Sequence, residues 1–572
     1  MDGLITALSQ VSAGHVKTYL AILRFLIPVL TGFLLYLCGK PLLTFRREPE
    51  IWAWLILPNG DKLPITHWEN IVGRSKHCDI VVDFPSVSRN HAVLTRYDDG
   101  SWTVTNISTK DTILVNGESV KISALEPGDV ITIGGLDMHL EPITQIQEVR
   151  LAQLRTKAST PKRSALTLLL LSLIQVLLCL AFLLGGNPKY GMDAIEGFGG
   201  VFLCQWLLLG FYFCTKRTSF EVETIAFLLC SMGMAVICTV IPSETVKQLV
   251  AMIIGIVLFL LVGWSLRDLE RAKVVRYLAT IGGVGMLVAT LLFGTEFFGA
   301  KNWIMIGPLS IQPSELSKVC FVFVGASTMD GIVQKRNLLL FIVYSAVICG
   351  FLAVMNDFGT ALIFFCAFLV ISYLRSGNVG LVGLAIASLA FAGVIVLKIA
   401  PHALQRFATW RHIWDDPLNA GYQQTQGLMC IAAGGLFGLG AGQGLAKYIF
   451  ASASDMVFVT VSEEWGLITA VMLTSTMVIL ALFAVRSASV GRSSFHTIAG
   501  TTAASILVMQ TILNVLGSLD VVPLTGVTFP FLSNGGSGMI SAWGLLAFIK
   551  AADTRQNASF AIRLPNLGEV RK

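Results

Sequence analysis

The chain has 572 residues, of which 54% are hydrophobic and only 13% are charged. Soluble globular domains carry about 25% charged residues, so this composition excludes an ordinary water-soluble fold and indicates that most of the protein faces lipid. The net charge of +6 is modest for the length, and the eleven cysteines include no CxxC pair, which argues against a disulfide framework or a zinc site.

The first predicted element is a membrane anchor within residues 1–45. Its apolar run, from about Tyr19 to Cys38, is long enough to cross a hydrocarbon core of about 30 Å once. The run lacks a basic n-region and a small-residue cleavage site, so we interpret it as a retained anchor. Basic residues after the run predict a cytoplasmic C-terminal end; they are Lys40, Arg46 and Arg47.

Residues 50–142 are predicted to form a compact all-β domain. Charged residues return here, and short alternating runs such as Asp79 to Val82 and Val130 to Ile133 are separated by turn pairs, a pattern typical of strands joined by tight turns. The turn pairs are Asn59-Gly60, Asn116-Gly117 and Gly134-Gly135. A polar, basic linker over residues 143–164 then leads back into lipid.

Two motifs in this β domain point to phosphate binding. Gly73-Arg74-Ser75 precedes one strand, and Ser88-Arg89-Asn90-His91 opens another. An Arg and a Ser on neighbouring loops can hold a phosphate through a charge-assisted fork and a hydroxyl donor. In this order and at this separation, the motifs resemble those of a forkhead-associated (FHA) domain, a β-sandwich that recognises phosphothreonine.

The FHA resemblance implies that Arg74 and Ser88 bind the phosphate, that Asn90 assists, and that His91 braces the loop from within. The sequence departs from the family at Lys110-Asp111, where Asn-Gly usually grips the ligand backbone. The alternative is a β-sandwich that no longer binds phosphate and serves as a protein-docking platform.

Twelve further apolar runs are predicted membrane spans, which makes thirteen with the anchor. They lie near residues 165–185, 199–214, 223–242, 247–265, 277–296, 314–330, 338–354, 358–374, 379–399, 457–484, 496–517 and 535–551. The glycine-rich run at 434–444 is too broken for a span, and we interpret it as re-entrant or interfacial.

Alternate loops carry the Lys and Arg residues, as expected for loops on the cytoplasmic side. All of these basic loops fall on the side of the β domain. The opposite side receives residues 301–315, 402–426, 452–455 and 520–537, and these outer loops hold nearly all the unusual polar residues.

Five motifs stand in or beside the outer loops: Gln312-Pro313-Ser314-Glu315, Asp357-Phe358-Gly359-Thr360, Asp415-Asp416-Pro417 with Gly421-Tyr422-Gln423, Asp455 with Glu463-Glu464-Trp465-Gly466, and Pro530 to Ser537. The first predicts a helix whose start is set by proline and a serine cap. Together they resemble the SEDS family of peptidoglycan glycosyltransferases, the FtsW, RodA and SpoVE type.

The resemblance implies an all-α polytopic membrane protein with an inserted all-β FHA sandwich. Its ten-helix SEDS core would occupy residues 223–552, and a cytoplasmic tail would follow at 553–572. The anchor and two helices within residues 165–222 would be about three additions to that core. Three departures from the family pattern suggest a divergent branch: Met355-Asn356 before Asp357, Ala453-Ser454 before Asp455, and Asn534 in place of a Tyr.

Extending a glycan from a lipid diphosphate requires a base for the acceptor hydroxyl and positive charge for the leaving diphosphate. Asp416 matches the essential aspartate of the family and would be that base. The sequence requires no cofactor, and a divalent cation, Mg²⁺ or Mn²⁺, would be an optional helper at Asp416. The predicted substrate-binding residues are Arg406, Arg411, Lys318, Glu315, Gln423, Asp455 and Ser533.

Structural interpretations stay open for several of these residues. Asp415-Asp416-Pro417 also fits a turn or a helix cap, and Gly535-Gly536-Ser537 also fits close helix packing. Glu315 and Lys318 are spaced to pair with each other on one helix face. Asp357 and Asp455 also fit caps or hydrogen-bond anchors.

The two resemblances together imply an enzyme of the bacterial cytoplasmic membrane that polymerises lipid II, the undecaprenyl-diphosphate-linked disaccharide-pentapeptide, at the outer face. They imply a class B penicillin-binding protein and a phosphothreonine-containing protein as partners, and no nucleic acid. A lipid II flippase that uses Glu315 and Lys318 as a polar path and a non-catalytic scaffold are the competing functions.

Overall fold

The structure is a computed structural model that describes residues 13–44, 51–76, 78–97, 100–108, 110–144, 147, 160–185, 191–267, 269–297, 299–307, 309–329, 335–377, 379–399, 401–491, 493–555 and 558–561. Fifteen α-helices lie within these residues. They are α1 (Ala13–Thr44), α2 (Pro161–Gly185), α3 (Gly191–Cys214), α4 (Glu221–Val240), α5 (Thr245–Ser265), α6 (Leu269–Phe293), α7 (Pro313–Thr328), α8 (Lys335–Val354), α9 (Phe358–Ser376), α10 (Val379–Ile399), α11 (Pro401–Thr409), α12 (Tyr422–Gly434), α13 (Val457–Ala488), α14 (Ser494–Ser518) and α15 (Gly536–Ala551).

Each of the thirteen predicted spans coincides with one of these helices. Among the described residues, eleven helices are long and apolar enough to cross a membrane. The other two, α7 and α15, have 16 residues each. The predicted span at 277–296 extends too far, because α6 ends at Phe293 and a strand begins at Thr295.

The glycine-rich run forms no spanning helix. After α12, the chain passes through turns and a short 3-10 helix, Ala446–Tyr448, before α13 begins. This segment packs along α13, where Leu439 and Gly440 donate backbone hydrogen bonds to Glu463 and Glu464 carbonyls at 2.9 and 3.0 Å.

Helix α13 is interrupted where this segment crosses it. Gly466 has φ 84°, a conformation that glycine adopts without steric cost. A Cβ atom at Gly466 would also lie 2.3 Å from the Leu436 carbonyl oxygen. Glycine at this position therefore permits both the break and the close approach of the loop.

Eleven strands between Ala53 and Pro142 form the predicted β-sandwich. They are β1 (Ala53–Ile56), β2 (Lys62–Ile65), β3 (Glu69–Gly73), β4 (Ile80–Val81), β5 (Ala92–Arg96), β6 (Trp102–Asn106), β7 (Ile113–Val115), β8 (Glu118–Val120), β9 (Ile122–Leu125), β10 (Val130–Ile133) and β11 (Leu136–Pro142). One sheet has the order β2-β1-β11-β10-β7-β8 and the other β4-β3-β5-β6-β9.

The inward-facing residues of the two sheets form one hydrophobic core, in which Val72, Leu94, Val104 and Ile131 are fully buried. Strands β3 and β4 pair in parallel, whereas the other strand pairs in the sandwich are antiparallel. Alternation of inward and outward side chains along each strand explains this core.

A small three-stranded sheet lies between α6 and α7, where the sequence predicts only a loop. Its strands are β12 (Thr295–Phe297), β13 (Ala300–Ile306) and β14 (Leu309–Ile311). Backbone N–H of Lys301 donates to the Met355 carbonyl at 3.0 Å, which ties this outer sheet to the turn between α8 and α9.

The three additional helices pack on the core. Helix α1 contacts α13, and α2 and α3 contact α4. A buried hydrogen-bonded group joins the additions to the core: Gln175 Nε2 donates to Gln205 Oε1 and to Ser231 Oγ, both at 2.9 Å. Because unpaired polar groups are costly in an apolar interior, this network fixes the seating of α2 and α3 on α4.

Candidate functional site

Asp416 lies on an exposed turn of the outer loop between α11 and α12. Its carboxylate accepts hydrogen bonds from Asn419 Nδ2 at 3.0 Å and from the Ala420 N–H at 3.3 Å. Its carbonyl accepts from the Gly421 N–H at 3.0 Å. A Cβ atom at Gly421 would lie 2.1 Å from the Ile413 carbonyl oxygen, so glycine is required for this turn. The turn holds the Asp416 carboxylate at the protein surface.

The neighbouring acid is engaged differently. Asp415 accepts from His412 Nδ1 at 3.0 Å, and both side chains are exposed. The two adjacent carboxylates therefore have distinct partners: Asp415 contacts an imidazole that precedes it, and Asp416 accepts from groups that follow it.

The two predicted phosphate-binding arginines lie close to this turn in the chain. Arg406 stands in the last turn of α11 and is exposed. Arg411 is exposed and has φ 62°; its N–H donates to Asp520 Oδ1 at 3.3 Å and its guanidinium lies 5.4 Å from the centre of the Trp410 ring. Exposed guanidinium groups suit the binding of phosphate oxygens.

Asp455 is half-buried in the loop before α13. Burial raises its pKa to about 6, although the Ser454 hydroxyl and the positive charge of Arg406 act in the opposite direction. Asn514 Nδ2, from α14, donates to the Asp455 carbonyl at 3.0 Å. The structure thus brings Asp455 into the electrostatic field of Arg406.

Two other predicted substrate-binding residues join loops to one another. Ser533 is buried; its hydroxyl donates to the Ser454 carbonyl at 2.6 Å and accepts from the Phe529 N–H at 2.9 Å. Gln423 Nε2 donates to the Phe450 carbonyl at 2.9 Å. Both side chains therefore contribute to the shape of the outer loops.

Glu315 and Lys318 pair with each other on α7. The Nζ–Oε1 distance is 2.6 Å, and the Lys318 side chain is 0% exposed. The second carboxylate oxygen of Glu315 is buried without a hydrogen-bond partner among the described residues. The pair lies beside α15, because Ser541 Oγ donates to the Glu315 carbonyl at 2.7 Å.

The starts of α7 and α9 differ in their capping. Asp357 caps α9 by accepting from the Thr360 N–H at 3.2 Å, which confirms the cap interpretation of that residue. The serine cap predicted for α7 is wrong: Gln312 is the N-cap residue, no side chain caps the helix, and Ser314 lies buried inside the first turn. Proline is at the first position of α7, as predicted.

The predicted phosphate-binding residues of the sandwich meet at the loops after β3, before β5 and after β6. Arg74 is exposed and its Nη1 donates to the Pro85 carbonyl at 3.2 Å. Ser88 Oγ lies 3.1 Å from Ser108 Oγ and donates to the Asp111 carboxylate. His91 is fully buried, and its Nδ1 accepts from the Ser88 N–H at 3.1 Å.

Asn90 is exposed at the same end of the sandwich. Its Oδ1 accepts from the Cys78 thiol at 3.4 Å. The four residues of the two motifs are therefore together, and the buried imidazole of His91 holds the loop that carries Ser88.

The opposite end of β3 contacts the membrane part of the chain. His67 Nδ1 lies 2.7 Å from the Gly491 carbonyl oxygen. The Trp68 ring packs edge-on against His496, with ring centres 6.4 Å apart. The sandwich is therefore docked on the turn between α13 and α14, at the end remote from Arg74.

Several structurally important residues were absent from the sequence prediction. Asn514 donates to both the Asp455 and Val527 carbonyls, the latter at 2.8 Å. Gln248 Nε2 donates to the Ser533 carbonyl at 3.1 Å. A polar amide inside an apolar run is the signal that marks both residues, because such groups are costly unless hydrogen-bonded.

Comparison with known proteins identifies the membrane part. The model of the cell cycle protein family of FtsW, RodA and SpoVE matches residues 220–558. The chain belongs to this family. The FHA domain model matches residues 70–134, so the sandwich of this SEDS protein is an FHA domain. The predicted family and fold class are confirmed.

Two curated relatives are named as peptidoglycan glycosyltransferases. Peptidoglycan glycosyltransferase RodA of Mycobacterium tuberculosis is 29% identical over 324 residues, which cover 53% of this chain and 69% of that protein. The probable peptidoglycan glycosyltransferase FtsW of Escherichia coli is 31% identical over 282 residues, or 46% and 67% of the two chains. These names support the enzyme over the flippase and the scaffold.

A solved structure describes the coordination of polymerization and crosslinking by a peptidoglycan synthase complex. One of its chains matches with a TM-score of 0.50 and 24% identity, over 58% of this chain and 96% of that chain. At this identity the match establishes a shared fold for the membrane domain.

Proposed function

We propose that this SEDS protein polymerises lipid II into glycan strands at the outer face of the bacterial cytoplasmic membrane, with Asp416 as the catalytic base. The observation that carries the proposal is the exposed Asp416 carboxylate, held on a glycine-dependent turn. Arg411 precedes it in the same loop, and Arg406 stands in the last turn of α11 before that loop. Family membership and the names of the curated relatives support the reaction class.

The proposed step is a substitution at the sugar of the donor lipid. The acceptor hydroxyl oxygen bonds to the anomeric carbon, and the bond from that carbon to the diphosphate oxygen breaks. Asp416 takes the hydroxyl proton, and undecaprenyl diphosphate leaves with both electrons of the broken bond. Arg406 and Arg411 stabilise the negative charge on the diphosphate.

A divalent cation is proposed only as an optional helper. Among the described residues, no group of three or more His, Cys, Asp or Glu side chains is placed to hold a metal ion. Magnesium is often held by one or two carboxylates together with substrate phosphates, and Asp416 fits the role of such a single protein ligand.

We further propose that the FHA domain lies in the cytoplasm and couples a phosphothreonine signal to synthesis outside. The basic loops share the side of the FHA domain, as expected of cytoplasmic loops. Docking through His67 and Trp68 leaves the Arg74 end accessible to a phosphorylated partner. A class B penicillin-binding protein is the proposed crosslinking partner.

The reaction is tested with purified protein, reconstituted in lipid and supplied with lipid II. We expect the unsubstituted protein to form glycan polymer and Asp416→Asn to lose about 100-fold or more in rate, the scale of general base catalysis. Asp415→Asn is the matched control, because it removes the adjacent exposed carboxylate and should keep most of the activity.

Translocation of lipid II, measured in the same vesicles, separates the competing functions. Polymer loss with intact translocation in Asp416→Asn supports the enzyme. Loss of translocation with intact polymer formation would instead support the flippase, and normal glycan synthesis by Asp416→Asn in cells lacking other SEDS proteins would support the scaffold.

A further inference from the structure

The phosphate-binding end of the FHA domain already contains an anion of its own. Asp111 lies in the loop between β6 and β7, and its carboxylate accepts a hydrogen bond from Ser88 Oγ. The same carboxylate oxygen lies 3.4 Å from Ser108 Oγ, which is itself 3.1 Å from Ser88 Oγ. The hydroxyls of Ser88 and Ser108 therefore face a carboxylate.

Hydrogen bonds within the loop of residues 106–111 hold the Asp111 carboxylate in place. Asn106 Oδ1 accepts from the Ser108 N–H at 2.9 Å, and Asn106 Nδ2 donates to the Asp111 carbonyl at 2.9 Å. The N–H groups of Lys110 and Asp111 donate to Ser108 Oγ at 3.2 and 3.0 Å. These four hydrogen bonds within the loop set the position from which Asp111 reaches Ser88.

The charge of Asp111 opposes a phosphate at the same hydroxyls. The hydrogen bond from Ser88 lowers the pKa of Asp111, so the carboxylate is ionised at neutral pH. A phosphothreonine phosphate carries a charge of about −1.5 to −2, and like charges a few ångströms apart repel. Phosphate binding at Ser88 would require this hydrogen bond to break and the carboxylate to move.

We propose that Asp111 lowers the affinity of this FHA domain for phosphothreonine: its carboxylate occupies the Ser88 and Ser108 hydroxyls as an internal competitor, and a phosphothreonine ligand binds by displacing it. This inference rests on the proposed phosphothreonine recognition by the domain. Arg74 remains available to the ligand, because its guanidinium is exposed and its hydrogen bond runs to a backbone carbonyl at the loop edge.

The test uses full-length protein in detergent and a fluorescein-labelled peptide pool with one phosphothreonine and randomised flanks, beside the unphosphorylated pool. Fluorescence anisotropy gives the Kd. Asp111→Asn removes the charge and keeps the shape, and Asp111→Gly removes the whole side chain. We expect each to lower the Kd for the phosphorylated pool by about tenfold, the order expected when one charge-assisted hydrogen bond no longer has to be broken.

Asp137→Asn is the matched control. Asp137 also accepts a hydroxyl hydrogen bond on this sandwich, from Thr132 at 2.7 Å, but it lies on the hairpin of β10 and β11, outside the phosphate-binding loops. Its substitution should leave the Kd unchanged. Arg74→Ala should remove phosphate-dependent binding from both the parent protein and Asp111→Asn, and thermal unfolding of each variant verifies that the domain is folded.

The outcomes separate this inference from the proposed function. If both Asp111 variants bind the phosphorylated pool as tightly as the parent or more weakly, Asp111 does not compete with the phosphate. Phosphothreonine recognition by the domain would still stand. If neither the parent nor either Asp111 variant prefers the phosphorylated pool, the domain does not recognise phosphothreonine. The proposed competition by Asp111 would then be wrong as well.

Discussion

Two outer-loop carboxylates of this SEDS protein occupy contrasting environments. Asp416 is exposed to solvent on its turn. Asp455 is half-buried near Arg406, and burial raises its pKa to about 6. Since desolvation penalises the charged form of a carboxyl, Asp455 is the acid whose ionisation is costly to the folded protein.

The raised pKa of Asp455 predicts a pH-dependent change in stability. The pKa of Asp455 is about 6 in the folded protein and about 3.9 in the unfolded chain. The neutral carboxyl therefore makes its full contribution to the free energy of unfolding below about pH 4, and this contribution is lost as the pH rises through 6. Asp455→Asn cannot ionise. We therefore expect it to be more stable than the parent at pH 8, by about 1–2 kcal/mol after solvent screening, and equally stable at pH 4.

Thermal unfolding in detergent between pH 4 and 8 measures this difference. Asp415→Asn, at an exposed site, should shift the unfolding temperature little at either pH. An equal stabilisation by Asp455→Asn at both ends of the range would show that ionisation of Asp455 is not the cause.

At the scale of single elements, α7 contains a charge pair that the sequence placed one turn apart. Lys318 is fully buried and Glu315 nearly so, whereas a substrate-binding pair would be expected to reach an open surface. Breaking a buried pair leaves an uncompensated charge, which typically costs about 3–5 kcal/mol.

We expect Lys318→Met and Glu315→Gln each to lower the unfolding temperature of the detergent-solubilised protein by several degrees. The double variant should recover most of that loss, because a neutral pair leaves no buried charge. A double-mutant cycle of unfolding temperatures measures the recovery. Single variants that unfold like the parent would show that the pair contributes little to the helix packing and would favour its predicted role in substrate binding.

Most elements of the fold were predictable because their sequence signals have few alternatives. An apolar run of about 20 residues between charged loops has essentially one stable arrangement in a membrane, a helix. The Asn116-Gly117 pair has φ values of 51° and 84°, as a type I′ hairpin turn requires. Such local signals located the thirteen apolar helices and the sandwich.

Elements that depend on tertiary contacts were not predictable. Strands β12 to β14 have only three to seven residues, and the outer sheet is joined to the distant Met355 and Asn356 by backbone and side-chain hydrogen bonds. The candidate site was predictable only as a set of residues. Whether Ser533 faces substrate or joins two loops is decided by contacts between segments that are 79 residues apart.

At the scale of the whole molecule, one helix connects the FHA domain to the outer loops. Helix α14 has 25 residues, so it is about 37 Å long, enough to cross the hydrocarbon core. Near its first turn His496 packs against Trp68 of the FHA domain. Near its last turn Asn514 binds the Asp455 and Val527 carbonyls. The FHA domain and the loop that carries Asp455 therefore contact opposite ends of the same helix.

The docking contact predicts how phosphopeptide binding and polymerisation are coupled. Trp68→Ala removes the ring contact with His496 but lies at the end of β3 remote from Arg74, so peptide affinity and basal polymerisation should stay unchanged. We expect the change in lipid II polymerisation caused by saturating phosphothreonine peptide to disappear in Trp68→Ala and to persist in Trp68→Phe, which keeps an aromatic ring against His496. If the response persists in Trp68→Ala, the signal does not pass through this contact, because coupling requires an element whose two arrangements both sites can bias.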